Sequence, residues 1–389
     1  VIPSWYPTTE APLNGIYFVE QASCLSKHEF QVGVVYPEQQ SLRKWSWEAT
    51  RQKYFQVEWT ESHGIPTLRR YGWNFWWRFP PGVRFRVRTA VRLSYLYAQR
   101  YGIPDIVHAQ SGRWAGAAAA RISNHFSIPY VLTEHFTGFQ RGAIFPWRKP
   151  IIQEGYDHAD GIAVVSRSLK DTLDRRNLAP NRDIEVHPNL APVSFFTRPR
   201  SPRSSPPPFH YVTVARLAPQ KNVRALLEAF RQLNLSDPDV HLTIVGDGPE
   251  RNTLETQAKH LGVDSQVSFR GRLTREGVRD ALWDAHAFVL PSDHETFGVV
   301  LLEAMSTGLP VVATSSGGPE DIVTQDTGIL VPPQNQDALI NALRSIRRQW
   351  TSFDAKTIRS YVVDRFGPEP FVRRTRLLYD RAQATASGR

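Results

Sequence analysis

The chain has 389 residues, one cysteine (Cys24) and a formal charge of +10, from 47 Lys and Arg against 37 Asp and Glu. A single cysteine excludes an intrachain disulfide framework and a cysteine-rich zinc site, and a chain this long buries large cores without such staples. No apolar run reaches the roughly 18 residues of a membrane span, so the chain is expected not to cross a bilayer; its length fits two or three domains.

The chain opens on Val1 in what reads as the end of a strand, so a few residues are expected to precede it. Asn14-Gly15 then leads into a helix around Tyr17–Ser26, and Gly15 either presents its N–H to an anion or simply makes the turn. Gln31–Tyr36 (QVGVVY) reads as a buried strand. From Ser62 to Pro104 the chain carries eight arginines and no carboxylate, interleaved with Tyr71, Trp73, Phe75, Trp76, Trp77, Phe79, Phe85, Tyr95 and Tyr97. This mixture suits a surface that docks on anionic lipid headgroups; it equally describes a solvated basic face over an aromatic core. No nucleic-acid motif accompanies it, and no nucleic-acid partner is expected. The whole charge excess lies in residues 1–208, with 26 basic and 16 acidic residues, whereas residues 209–389 carry 21 of each.

Short strand-like runs at Asp105–Ala109, Tyr130–Thr133, Gly161–Val165 and Ile184–His187 alternate with helix-like runs such as Ala115–Ile122. That alternation predicts a parallel sheet covered on both faces. His135 follows one of these strands, where a lone histidine is more often structural than functional. Arg198 to Pro208 (RPRSPRSSPPP) reads as an extended linker. The pattern then restarts, with strands at Phe209–Ala215, His241–Val245, Val267–Arg270, Ala287–Leu290, Val311–Thr314 and Gly328–Val331. Val223–Leu233 is a helix with Leu226, Leu227, Phe230 and Leu233 on one face, and Val299–Ser306 a helix stopped by Gly308 and Pro310. Two doubly wound α/β halves place a ligand in the crevice between them, at the carboxyl ends of strands.

Three stretches carry chemistry. In His294-Glu295-Thr296-Phe297-Gly298-Val299-Val300-Leu301-Leu302-Glu303, two glutamates flank the start of a helix. Both can address a ligand at that N-terminus, whose N–H groups favour an anion; alternatively Glu295 caps and Glu303 is solvated. Arg216 and Lys221, five residues apart after a strand, can flank a pyrophosphate or be two surface cations. Asp237-Pro238-Asp239 looks like a metal-binding pair but sits in a turn before a strand, away from the carboxyl ends, so it reads as turn chemistry. No metal-ligand spacing occurs elsewhere, and no metal or other cofactor is expected.

Together these pieces resemble the retaining GT-B glycosyltransferases of family four, over nearly the whole chain. The resemblance rests on Pro3-Ser4-Trp5-Tyr6-Pro7, Gly15, Glu20-Gln21, Thr133-Glu134-His135, Val186-His187-Pro188-Asn189, the Arg216/Lys221 pair, Val245-Gly246-Asp247-Gly248-Pro249, the Glu295/Glu303 stretch and Gly317-Gly318-Pro319-Glu320, in order. Many members carry Gly-Gly in the first loop, where Asn14 stands here. The resemblance implies a Rossmann-like acceptor domain at 1–197, the linker at 198–208 and a Rossmann-like nucleotide-sugar domain at 209–365. A closing helix at 366–389 would return to the first domain. Arg216 and Lys221 would neutralise the donor diphosphate, and Glu303 would bind the ribose. Glu295 with the backbone of Thr296, Phe297, Gly298 and Val299 would address the sugar and phosphate, and the Arg272-Leu273 loop would flank the base. Gly15 and His135 would contribute from the first domain. The implied activity is hexosyl transfer from a GDP- or UDP-sugar to a glycan or lipid-linked acceptor, by a front-side mechanism at the inner face of the cell membrane. A nucleotide-sugar epimerase and a non-catalytic nucleotide-sugar-binding scaffold are the alternatives.

Overall fold

A computed structural model describes residues 1–9, 11–40, 56–73, 79–180, 182–197 and 208–388. The chain forms two compact units: Val1–Val165, Leu169–Leu190 and Phe371–Arg389 make the first, and Ser166–Ser168 with Ala191–Pro370 the second. The break at Leu190–Ala191 falls ahead of the expected residue 197. The reason lies in Ala191–Phe196, whose carbonyls at Val193 and Phe196 accept hydrogen bonds from Arg359 and whose Ala191 N–H donates to the Phe366 carbonyl, all within the second unit. Most of the proline-rich linker lies outside the described residues.

The strands of the first unit are β1 (Ile2–Pro3), β2 (Val34–Gln40), β3 (Val57–Ser62), β4 (Ile65–Trp73), β5 (Val107–Gln110), β6 (Tyr130–Glu134), β7 (Gly161–Val164) and β8 (Ile184–Val186). Five of them form a parallel sheet in the order β1-β5-β6-β7-β8. Both β5 and β6 are buried along their whole length, as a parallel sheet covered on both faces requires. From Phe371 on, the helix Pro368–Ser387 belongs to this unit: Leu378, Tyr379 and Ala382 pack on Val131 and Ala163.

The QVGVVY strand departs from expectation. It begins at Val34 and runs to Gln40 in a separate three-stranded sheet, β2-β4-β3, joined to β1 through the Val35 N–H to Val1 carbonyl bond of 3.1 Å. β3 and β4 form an antiparallel hairpin turned by His63 (φ 54°) and Gly64 (φ 77°). Two residues with positive φ match the right-handed twist of the flanking strands. The arginine-aromatic stretch therefore contains a strand, β4, and a 22-residue helix, Pro80–Tyr101.

The second unit has β9 (Phe209–Val214), β10 (Val240–Val245), β11 (Val267–Gly271), β12 (Ala287–Leu290), β13 (Val311–Thr314) and β14 (Gly328–Val331). They pair in parallel in the order β11-β10-β9-β12-β13-β14. Leu226, Leu227, Phe230 and Leu233 bury their helix face against Tyr211, Leu242 and Ile244, in the core expected from their spacing. The chain moves outward from β9 to β10 on one side and later adds β12 on the other, so the strand order reverses between β9 and β12. Ligands of open α/β sheets bind outside the carboxyl ends at such a reversal.

Candidate functional site

In the second unit, the loops after β9 and β12 meet at this reversal. Asn222, in the left-handed region (φ 47°), caps the Val223–Ser236 helix by accepting from Ala225 N–H. Its amide also donates to Asp293 at 3.0 Å, while Asp293 N–H donates to the Gln220 carbonyl at 2.9 Å. Those bonds hold Lys221 against Glu295, and Lys221 Nζ forms a hydrogen-bonded ion pair with Glu295 Oε2. The side chains are 21% and 13% exposed, so the pair is reachable from solvent without being a loose surface contact. Lys221, expected on a diphosphate, thus already holds a carboxylate partner.

Glu295 is also gripped through its backbone. Its N–H donates to Ser316 O at 3.0 Å and its carbonyl accepts from Gly318 N–H at 2.7 Å. Gly318 admits no side chain, because a Cβ there would stand 2.2 Å from Phe297 Cα. The Gly-Gly-Pro-Glu loop therefore serves to position the Glu295–Gly298 turn. Gly298 (φ 97°) starts the Val299–Ser306 helix with no side-chain cap and no acid in its first turn. Phe297 and Thr296 are buried, and the Thr296 carbonyl accepts from Ser166 Oγ at 2.6 Å.

Glu303 lies inside that helix, partly buried. Burial pushes its carboxyl up to about 7, and the Arg275 guanidinium pulls in the opposite direction. Arg275 opens the helix that follows the Leu273 loop and stacks over Phe195 at 4.3 Å, so Leu273 and Glu303 are linked through it. Arg275 carries no motif signal in the sequence; its position at a helix start two residues after Leu273 is the only hint. Arg216 is exposed, and its loop is held by the Leu217 N–H to Asp247 O bond of 3.0 Å. Gly248 permits that approach, since a Cβ would meet Leu217 O at 2.2 Å. A cavity of about 510 Å³, bordered by Thr324, Gln325, Leu330, Gln349 and Phe353, has no charged residue in its described lining and contains none of these groups.

In the first unit, Gly15 (φ 78°) starts the Ile16–Ser26 helix, and a Cβ there would lie 2.9 Å from Trp5 O. Tyr17 and Phe18, just inside the helix, pack their rings on His135, with centroids at 5.6 and 5.0 Å. Gly15 and His135 are therefore brought to one end of the first sheet. His135 is buried and Nε2 donates to Gln110 Oε1 at 2.7 Å. Burial, then the charge of His187, push its pKa down to about 3, against the Asn189 side-chain hydrogen bond, which raises it. It is neutral at ordinary pH. Glu134, its neighbour, accepts four bonds: from the N–H groups of Gly112, His135 and Phe136 and from Tyr156 OH. That carboxylate shapes the loop. Gln110, at the end of β5 in register with Thr133, has no distinguishing mark in the sequence and owes its place beside His135 to strand pairing.

Of the arginine-aromatic stretch, Arg69 is buried, paired with Glu38 at 3.0 Å, and Tyr71 and Trp73 are core residues. Arg84, Arg88 and Arg92, four apart on the Pro80–Tyr101 helix, are exposed together with Phe79 and Phe85. Phe75, Trp76 and Trp77 lie outside the described residues. No described helix is long and apolar enough to cross a membrane. Among the described residues, no group of three or more His, Cys, Asp or Glu side chains is placed to hold a metal ion, and Asp237 lies in its turn facing Arg347.

The family described as Glycosyltransferase Family 4 matches residues 15–195, and that described as Glycosyl transferases group 1 matches residues 196–358. Over 366 residues the chain is 28% identical to TuaC of Bacillus subtilis, a glycosyltransferase provisionally assigned to teichuronic acid biosynthesis, covering 88% of this chain and 87% of the relative. Sucrose-phosphate synthase from Thermosynechococcus elongatus matches with a TM-score of 0.75 at 22% identity, over 95% of this chain and 93% of that one. HepE of Anabaena, solved in complex with UDP, matches with a TM-score of 0.71 at 19% identity, over 97% and 98%.

Proposed function

From the premise that the chain belongs to glycosyltransferase family 4 and has the GT-B fold, we propose that it moves a hexosyl unit from a nucleotide-diphosphate sugar to a glycan or lipid-linked acceptor, retaining the anomeric configuration without a resident metal. The observation that carries this reading is the Lys221–Glu295 pair beside the uncapped Val299–Ser306 helix, at the β9/β12 reversal. A helix N-terminus offers unpaired N–H groups and positive potential to an anion. When the diphosphate enters, Lys221 turns from Glu295 to the phosphate, joined by Arg216. Glu295 is then free to accept a hydroxyl of the sugar. Glu303 addresses the ribose and the Leu273 loop flanks the base. The UDP complex of HepE and the assignment of TuaC support a nucleotide-sugar donor and a polysaccharide acceptor, respectively.

In the proposed step, the bond from the sugar's anomeric carbon to the phosphate oxygen breaks as the bond to the acceptor oxygen forms on the same face. The acceptor's proton passes to the departing phosphate oxygen. Fixed cations and the helix end stabilise that charge. His135, neutral and buried, takes no proton in this step. The exposed Arg84, Arg88 and Arg92 stripe with Phe79 and Phe85 fits peripheral docking on an anionic membrane, on the cytoplasmic face.

A thermal-shift screen of GDP and UDP tests the donor assignment. One nucleotide should stabilise the protein by RT ln(1 + [L]/Kd), with the gain reduced in Arg216→Ala. Failure of both nucleotides to stabilise it would overturn the reading. With the matching donor sugar, nucleoside diphosphate release should depend on added acceptor; release without acceptor would favour an epimerase.

A further inference from the structure

The cavity of about 510 Å³ in the second unit stands apart from every residue given a role above. Thr324, Gln325, Ile329, Leu330, Gln349 and Phe353 border it. Its volume falls within the range of about 300–1,000 Å³ typical of small-molecule sites. It lies beside β14, the last strand of its sheet, and reaches Gly328 at that strand's amino end. Lys221 and Glu295 stand past the carboxyl ends of β9 and β12 instead.

Both walls are fixed by backbone. On one side the Thr324 carbonyl accepts from the N–H groups of Thr327 and Gly328, at 3.1 and 3.0 Å, and the Thr324 N–H donates to Thr327 Oγ1 at 2.8 Å. That closed turn carries Gln325. On the other side the Gln349 carbonyl accepts from the Ser352 N–H at 2.9 Å and from Ser352 Oγ at 2.6 Å, just past the Gln336–Arg348 helix. The bend sets Phe353, which packs partly buried against the core. Gln325 is exposed and Gln349 half-buried, and neither side-chain amide has a hydrogen-bond partner among the described residues.

This lining selects a neutral, hydroxyl-rich ligand. It holds no charged residue, so an ion entering it loses water and gains no counter-charge. Each glutamine amide offers both donors and an acceptor, matching hydroxyls that also do both. The Phe353 ring, with Ile329 and Leu330, suits the C–H face of a sugar ring. A peptide strand added to β14 fits less well. The Val311 N–H donates to Thr327 O and the Ser315 N–H to Val331 O, so Gly328 and Leu330 are the residues whose backbone faces away from β13. The Gly328 N–H is taken by Thr324, which leaves too little free edge for a ladder.

We propose that this cavity is a second carbohydrate site, which holds an uncharged stretch of a glycan away from the end that reacts. The inference rests on the reading of the chain as a glycosyltransferase acting on a glycan, and adds a site that no step of the transfer uses. A glycan gripped there stays near the enzyme between transfers, because a second contact makes rebinding intramolecular.

The test is calorimetric titration of the whole chain with maltotriose, cellotriose and, separately, trigalacturonate, each in saturating UDP and GDP. At least one neutral trisaccharide should bind, with a Kd of about 1 mM or tighter. The double variant Gln325→Ala/Gln349→Ala should weaken it about tenfold, the loss of two neutral hydrogen bonds, with nucleotide affinity unchanged. Neither amide holds another residue, so the fold is retained; should the double variant melt early, Gln325→Ala alone, at the exposed turn, should weaken binding about threefold. No binding of either neutral trisaccharide, or equal affinity in wild type and variant, would overturn the site. Trigalacturonate binding as tightly would overturn its neutral character. Failure of the transferase reading shows separately, as the absence of any nucleotide affinity in the wild type.

Discussion

At the carboxyl ends of β9 and β12 Lys221 meets Glu295, and the two charges cancel before any ligand arrives. In the first unit, Arg113, just past β5, shares a cavity with Arg86 and Arg148. The same contrast runs through the composition, with the +10 confined to residues 1–208. One unit stores its cation against an internal acid, which a diphosphate must displace. The other gathers arginines around one cavity and holds each over an aromatic ring. A cation held by an internal acid can change partners, whereas a guanidinium stacked on a ring is fixed in direction.

The sharpest way to break the contrast is Lys221→Ala. Losing one fixed cation from a site of developing negative charge should lower transfer by about 10²–10³-fold. Stability should move little, since a partly exposed pair contributes about 0–1 kcal/mol. Steady-state rates with thermal melts read both, and an unchanged rate would reduce the pair to a clasp between two loops. On the first unit, replacing Arg84, Arg88 and Arg92 together by Gln should weaken binding to anionic vesicles about 100-fold, at about 1 kcal/mol per arginine, and spare nucleotide binding. Co-sedimentation that survives the triple change would leave the stripe as an ordinary solvated face.

Glu303 tests burial within the second unit, through stability rather than rate. Its folded carboxyl titrates near 7 rather than 4.5 because burial disfavours the anion. The native state then binds the proton more tightly than the unfolded chain, so this contribution is complete below the unfolded value and is lost as pH rises to the folded one. Glu303→Gln should flatten the decline and be more stable than wild type by up to about 3 kcal/mol at about pH 8, less as solvent screens the group. Urea unfolding at about pH 5 and pH 8 reads the difference; parallel slopes in the two proteins would refute it.

Much of the second unit is legible in its residues. β12, β13 and β14 lie where short apolar runs bounded by turn signals place them, and the Leu226/Leu227/Phe230/Leu233 face is core. Local patterning suffices there because each strand is buried on both faces and each helix has one apolar stripe. The first unit hides more. β4 reads IPTLRRYGW, and its arginine at 69 enters the interior because Glu38 and the rings of Tyr6 and Tyr36 receive it. Residue type alone cannot distinguish such an arginine from Arg84, which is exposed.

By itself the sequence determined the class of fold, the family motifs and the half of the chain that carries the charge, because periodicity, turn chemistry and composition are local properties. Only the tertiary structure decided that Lys221 is held by Glu295, 74 positions away, and that His135 is a neutral, buried ring bound to Gln110. It also decided which arginines share one cavity. Strand order and loop closure set those distances, and burial sets the protonation; neither is written in the identity of a single residue.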